Sequence, residues 1–331
     1  MKSLLGTKRR KIYAFVALVV LYGILYLSYL QPDLYFMYWG PFENTSCHYT
    51  TADDALPSAD SDEFRPAGKS IFFHETSCKG TLDSRQACAV ESASKAHPNW
   101  QIYVLYSSPV TKFTLNSGSI NALRKLNVKF ARVHITRYAK NTPLESLVSG
   151  GALNRTRWRT SHTSDVLRYL TLYKWGGVYL DLDVVVARNL ETLAMNWAAR
   201  ENDLSVAAGA ISNNFRDIQR SYRGDIWGNN GPGVITRVLK DKCSTKEVSA
   251  MSAATCNGFE VYGPHLFYPI EYTQGRVYFE TGELKLPDAY VYHVWNHLTH
   301  HLKVMKGSPY DKLAERFCPT IYKMYGDDFG S

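Results

Sequence analysis

The stretch Gly176-Gly177-Val178-Tyr179-Leu180-Asp181-Leu182-Asp183-Val184-Val185-Val186 sets two carboxylates, two residues apart, in a run that otherwise reads as one buried strand. Side chains at i and i+2 of a strand face the same side, so the spacing predicts that Asp181 and Asp183 converge on one point. Two converging desolvated carboxylates repel unless a cation or a shared proton compensates them. Oxygen ligands of this kind suit a hard divalent ion such as Mn²⁺ or Mg²⁺, which keeps positions open for phosphate oxygens. Just upstream, residues 165–175 carry helix-like apolar positions at Val166, Leu167, Leu170 and Tyr173, with Thr163 or Ser164 as N-cap and Gly176-Gly177 as the stop. Asp165 and Arg168 then share a helix face, with Asp165 in the first turn, where the helix dipole favours a carboxylate. As a local ion pair they are worth a fraction of a kcal/mol; as a functional pair they can hold sugar hydroxyls and a diphosphate.

Working outward, residues 71–74 read as a short strand, 84–97 as a helix closed by Pro98, 102–106 as a second strand, 120–126 as a helix and 128–135 as a third strand. Strand–helix alternation implies parallel pairing through right-handed crossovers, and residues 178–186 extend that sheet. In open α/β sheets ligands sit beyond the carboxyl ends of strands, which sets His74-Glu75-Thr76 and the aspartate pair at one edge. Beyond residue 200 the expected elements are strands at 203–210 and 290–295 and a helix at 233–242, whose spatial order periodicity does not supply. The segment Gly228-Asn229-Asn230-Gly231-Pro232-Gly233 lacks dinucleotide-fingerprint spacing and reads as a turn before that helix.

The chain has 331 residues, enough for one large α/β domain with accessory segments. Its net charge is +8, but Lys2, Lys8, Arg9, Arg10 and Lys11 stand together without an acid, so the remainder is nearly balanced and offers no basic stripe for nucleic acid. Residues 12–30 are apolar and uncharged, long enough for a bilayer-spanning helix. No small-residue cleavage site follows it, and the basic flank precedes it. The expectation is therefore a type II signal anchor: residues 1–11 a cytosolic tail, 12–30 the transmembrane segment, 31–68 a stem rich in proline and acids, and 69–331 the catalytic domain. Six cysteines without a Cys-x-x-Cys pair argue against zinc and, in an oxidising lumen, for three disulfides. Short loops suggest Cys78–Cys88 and Cys243–Cys256, leaving Cys47 with Cys318. Asn44-Thr45-Ser46 and Asn154-Arg155-Thr156 are glycosylation acceptors consistent with that topology.

The string running from Ser164 and Asp165 through Arg168, Gly176-Gly177 and Tyr179 to Asp181 and Asp183 resembles the Asp-x-Asp sugar-binding region of retaining nucleotide-sugar glycosyltransferases, and within them the α-1,4-glycosyltransferases. The resemblance continues in Ile71-Phe72-Phe73-His74-Glu75-Thr76, Trp227-Gly228-Asn229-Asn230-Gly231-Pro232, Tyr268-Pro269-Ile270-Glu271 and Tyr292-His293-Val294-Trp295-Asn296, and covers about residues 71–297. It implies an α/β, GT-A-like nucleotide-sugar-binding domain with a mixed, mainly parallel sheet. It implies Mn²⁺ (or Mg²⁺) on Asp181, Asp183 and His293, a UDP-sugar whose hydroxyls and diphosphate meet Asp165 and Arg168, and uracil and ribose near Phe73, His74 and Thr76. Asn230 stands where galactosyltransferase relatives carry a glutamine, which suggests an amide near the anomeric carbon. Asp225 and Glu271 are the alternative carboxylate nucleophiles to a front-face route. The implied activity is α-1,4 transfer of a hexose, galactose first and N-acetylgalactosamine or N-acetylglucosamine second, to a glycosphingolipid or glycoprotein in the Golgi lumen. A phosphatase that uses Asp-x-Asp as nucleophile carries it on the first strand of its domain, unlike this chain; a lumenal carbohydrate-binding protein without catalysis is the reading from a different class.

Overall fold

A computed structural model of the chain describes residues 2–30, 43–50, 54–209, 215–282 and 288–331, in two compact units, Met1–Phe42 and Glu43–Ser331. The first unit contains helix α1, Lys2–Leu30. Among the described residues no helix is long and apolar enough to cross a membrane; within α1 the side chains described are those of residues 11–26, shorter than the expected span at 12–30. Residues 31–42 and 51–53 of the expected stem lie outside the described residues.

The second unit is built on β1 (Ser70–Glu75), helix α2 (Ser84–Ala96), β2 (Gln101–Tyr106), β3 (Val128–Arg132), helix α3 (Arg159–Trp175), β4 (Val178–Tyr179) and β5 (Val184–Val186). It continues through β6 (Trp197–Arg200), β7 (Val206–Gly209), helix α4 (Pro232–Lys242), β8 (Glu260–Tyr262), β9 (Val291–His293) and helix α5 (Pro319–Tyr325). The main sheet runs β3-β2-β1-β4-β7-β6-β8. It is parallel across β3-β2-β1-β4 and between β6 and β8, and antiparallel at β7, which gives the mixed, mainly parallel α/β sheet expected. Alternation along β1 divides the core: Ile71 and Phe73 join one apolar cluster with Ala87, Cys88 and Val90 of α2, and Phe72 joins the other with Val166, Leu167 and Leu170 of α3. Each such side chain contributes roughly 1.5–3 kcal/mol on burial, so the sheet is clamped from both faces. Helix α2 opens with a capping box, Asp83 accepting from the Gln86 N–H while the Gln86 side chain accepts from the Asp83 N–H.

Three expectations change. The single strand at 178–186 is two: β4 pairs with β1 in the main sheet, and β5 pairs antiparallel with β9 in a separate two-stranded sheet, with a turn at Leu182 and Asp183 between them. Continuing the strand would bury both carboxylates between sheet neighbours, and the chain avoids that cost by turning. Helix α3 starts at Arg159, so Asp165 lies beyond the first turn and the dipole argument does not apply to it. Gly177, with φ +76°, ends the α3–β4 connection where a Cβ would stand 2.6 Å from the Ser70 carbonyl oxygen. The stem does not reach residue 68 as a free tether. Ala59 N–H bonds the Arg132 carbonyl, Arg132 N–H bonds the Pro57 carbonyl and Asp54 pairs with the buried Arg132 guanidinium at 3.0 Å, so residues 54–59 cover the otherwise open β3 edge.

The disulfides are Cys47–Cys78, Cys88–Cys318 and Cys243–Cys256. Only the third is the pairing that loop length suggested. Cys88 points from α2 into the core toward α5, whose first N–H groups at Thr320 and Ile321 are held by the buried Glu91 carboxylate one helical turn on. Cys78 faces the turn at Ser46–Tyr49, where His48 Nε2 meets the Thr76 carbonyl at 2.9 Å.

Candidate active site

The turn between β4 and β5 carries Asp181 and Asp183, and antiparallel pairing of β5 with β9 places His293 opposite Val184. The ligand atoms of the two carboxylates and the imidazole all lie within 4.8 Å of one another. Convergence therefore holds, produced by a turn and a second sheet rather than by the strand pleat. His293 Nε2 is 3.2 Å from Asp183 Oδ1 and 4.0 Å from Asp181 Oδ2. Its Nδ1 lies 3.2 Å from the Trp295 N–H, and its Nε2 faces Asp183. Burial pushes the Asp183 carboxyl up, but the His293 charge, its hydrogen bond and the Asn296 N–H at 2.9 Å outweigh burial and hold it below the usual range. Burial likewise lowers the His293 imidazole, and the facing carboxylates of Asp183, Asp181 and Glu201 more than reverse it. The cluster is an anionic cup. Two carboxylates and an imidazole are a donor set that fits Mn²⁺ or Mg²⁺, and with side-chain exposures of 31% at Asp181 and 18% at Asp183 the cup is open to a ligand.

Arg168 closes one side. Its Nη2 lies 3.2 Å from both Asp165 Oδ1 and Asp181 Oδ1, its guanidinium sits 4.6 Å over the Tyr179 ring, and its buried Nε has no hydrogen-bond partner. Tyr179 donates to Asp181 at 2.9 Å and is within 2.9 Å of the Ser164 hydroxyl. The expected Asp165–Arg168 pair is thus present, and Arg168 also ties it to the aspartate pair. Burial pushes the Asp165 carboxyl up to about 6, with Arg168 opposing and Asp181 adding.

The other expected site residues divide. Phe73 is fully buried in the core, on the face of β1 turned to α2, and has no surface for a base or ribose. The Thr76 hydroxyl donates to the Thr160 carbonyl at 3.1 Å. His74 lies beside the Tyr179 ring with Nε2 on Thr171, and burial and then the Arg168 charge push it down to about 3, so it is neutral; its Nδ1 alone has no partner. Asn230 is fully buried with its amide bonded: Oδ1 accepts from the Arg223 N–H at 2.9 Å, and Nδ2 donates to the Arg223 carbonyl at 2.7 Å and faces His162 Nδ1 at 3.3 Å. That satisfied amide closes the turn. Asp225 is exposed in a fork with Arg223, and Glu271 is exposed.

Two family models match the chain: a glycosyltransferase sugar-binding region containing the DXD motif, over residues 83–203, and the α-1,4-glycosyltransferase conserved region, over residues 210–325. Human lactosylceramide 4-alpha-galactosyltransferase is 30% identical over 78% of this chain and 79% of its own length. The chain belongs to the α-1,4-glycosyltransferase family. The mouse lactosylceramide 4-alpha-galactosyltransferase is 28% identical over 98% of this chain and 94% of its own, and human alpha-1,4-N-acetylglucosaminyltransferase is 27% identical over 77% and 80%. The protein is accordingly a glycosyltransferase with its DXD residues at Asp181 and Asp183.

Sequence reasoning missed three groups of this glycosyltransferase. Tyr179 was legible, since it stands two residues before Asp181 in the same alternation. The Asn296 N–H follows a left-handed Trp295, φ +57°, which no local pattern announces. Glu201, near enough to act electrostatically on His293 and Asp181, comes from the β6–β7 connection, where a lone acid carries no signal.

Proposed function

We propose that this protein transfers a hexose from a UDP-sugar, UDP-galactose first, to a neutral glycosphingolipid in α-1,4 linkage with retention of configuration. The observation that carries the reading is the convergence of Asp181, Asp183 and His293 beside Arg168. A divalent ion bound there acts as a Lewis acid on the leaving diphosphate. Arg168 supplies a fixed positive charge to the same oxygens, and Asp165 accepts from sugar hydroxyls. Asp225 and Glu271 are exposed, and Asp225 is held in a fork by Arg223, which favours the front-face route, in which the leaving phosphate takes the acceptor proton. The names of the galactosyltransferase relatives favour galactose, and the N-acetylglucosaminyltransferase relative keeps UDP-N-acetylglucosamine as the second donor.

The anchor belongs to this reading. The uncharged run at 12–30 behind a basic flank supports a single-pass type II protein of the Golgi membrane, with residues 43–331 and the acceptor sites at the exposed Asn44 and Asn154 in the lumen. The test is a donor screen: full-length enzyme in detergent with Mn²⁺, a panel of UDP-sugars, and glycolipid and glycoprotein acceptors kept separate. Label from UDP-galactose on glycolipid, with an α-linked product, is expected; label only on protein, or a β-linked product, overturns it. Protease protection of the catalytic unit in sealed microsomes checks the topology.

A further inference from the structure

Alongside the ligand cup lies a cleft of ≈ 400 Å³ to which no role has been given, bounded by Glu201 and Leu204 on one side and Trp227, Gly228, Thr236 and Arg237 on the other. It adjoins the reacting centre by two routes. Gly231, in the turn that forms its wall, packs so closely on Asp165 that a Cβ there would stand 2.3 Å from Oδ1. Glu201, on the opposite wall, is within electrostatic range of Asp181 and His293.

We propose that this cleft is the subsite for the acceptor's terminal sugar and that it selects a neutral hexopyranoside over an acidic one. The inference rests on the glycosyltransferase reading above and adds to it where the acceptor sits. Sugar recognition needs an aromatic surface for the C–H face of the ring and fixed polar groups for its hydroxyls. Trp227 provides the first, its plane held by His297 stacked at 4.3 Å and by Trp158 edge-on at 5.7 Å. Glu201 provides the second; its Oε2 accepts from the Ser205 hydroxyl at 3.0 Å. The selectivity follows from the charges. Arg237 is the cation of the cleft, but its Nη2 and Nε already lie 2.6 and 3.1 Å from Asp217 Oδ2, and its Nη1 bonds Asn229 at 3.2 Å. Its charge is answered before a ligand arrives, whereas the Glu201 carboxyl lines the cleft with a hydroxyl, that of Ser205, on Oε2. A sialylated or sulfated sugar would set like charge against Glu201. Leu204, 81% exposed at the rim, gives the aglycone an apolar exit.

The test uses full-length enzyme, UDP-galactose, and octyl β-lactoside and its sialylated counterpart as acceptor probes. At Gly228, which lines the cleft, an added Cβ meets nothing within 4 Å, so a side chain can start there freely, and Gly228→Leu is the variant chosen to fill the cleft. It is expected to raise the lactoside KM at least tenfold with an unchanged melting temperature and a UDP-galactose affinity within twofold of the parent. Glu201→Gln is expected to raise the lactoside KM several-fold and to narrow the preference for the neutral over the sialylated probe. An unchanged lactoside KM in both variants overturns the subsite, as does loss of donor affinity in both, which would make the cleft part of the donor site. No transfer by the parent enzyme from any UDP-sugar removes the glycosyltransferase reading as well, and that failure is visible before any variant is made.

Discussion

Two turns of this protein carry polar side chains of the kind that do chemistry, and the fold uses them in opposite ways. The turn between β4 and β5 holds Asp181 and Asp183 with like charges facing one another, an imidazole and the Arg168 guanidinium, and stays part-exposed. The turn ahead of α4 holds Asn230, whose amide bonds back to the Arg223 backbone at both ends and has no surface at all. The first leaves carboxylate surface open to a ligand; the second turns every polar atom of its amide inward. A part-exposed cluster of converging titratable groups is therefore the stronger mark of function than residue type or sequence context.

The largest break of that comparison is at Asp183. Asp183→Asn is expected to reduce Mn²⁺-dependent transfer by about a thousandfold or more, since it removes a ligand charge from the cup. The fold should survive, because the asparagine carbonyl can still accept the Asn296 N–H; Asp181→Asn should be milder. Metal-dependent turnover near the parent rate in Asp183→Asn would return the pair to an ordinary polar turn.

The next effect is on stability. Helix α2 holds the site from below: Arg85 donates to Asn296 Oδ1 at 3.1 Å and to the Thr299 carbonyl at 2.9 Å, and Asn296 in turn donates to Asp183. The same helix is tied to α5 through Cys88–Cys318 across 230 residues of chain. Replacing both cysteines by serine is expected to cost about 2–5 kcal/mol, and the Cys243–Cys256 pair, closing 13 residues, less. Denaturant titration of the two double variants under oxidising conditions gives the ranking, and a larger loss from the short loop would show that α2 does not depend on the long bridge.

How much of this was legible in the sequence follows the range of the interactions. The α/β alternation, β1, α2 and the Asp165–Arg168 pair rest on neighbours along the chain, and their patterns could be read. The bridge from Cys88 to Cys318, the covering of the β3 edge by residues 54–59 and the placing of β9 against β5 rest on contacts between distant segments. Nothing in a local pattern specifies those. Family resemblance supplied His293 where periodicity could not, yet it also pointed to Phe73 and Asn230, because resemblance transfers a position and not the burial of the side chain that occupies it. The break at residues 180–183 was readable in principle, since two unpaired carboxylates are poor strand interior.

Asn230 offers the converse of the Asp183 test. Asn230→Ala would remove the side-chain partner of the Arg223 N–H and carbonyl in a part-exposed turn, at about 0.5–1.5 kcal/mol for each hydrogen bond lost. The expectation is a lowered melting temperature with kcat within about threefold of the parent at a temperature where the variant is folded. A folded variant with kcat down a hundredfold would restore the amide to the chemistry.

The smallest effect separates two acid-side steps in donor binding. Asp165 is raised to about 6 by burial, so in the folded protein it is ionised above that pH and takes up a proton below it. The sign for stability follows from the unfolded chain ionising this group at the ordinary aspartate value: stability from Asp165 is greatest at low pH, falls as pH rises toward 6 and is flat beyond. The sign for binding is opposite, because the neutral acid loses its attraction for Arg168 and for sugar hydroxyls, and the donor KM should rise a few-fold on going from pH 7 to 5.5. His293, raised by its facing carboxylates, gives a second step at higher pH, where protonation of the imidazole competes with the metal. Asp165→Asn should abolish the step near 6 and leave the other, which added Mn²⁺ should move to lower pH. Persistence of the lower step in Asp165→Asn would assign it to another group and leave Asp165 as no more than a partner that positions Arg168.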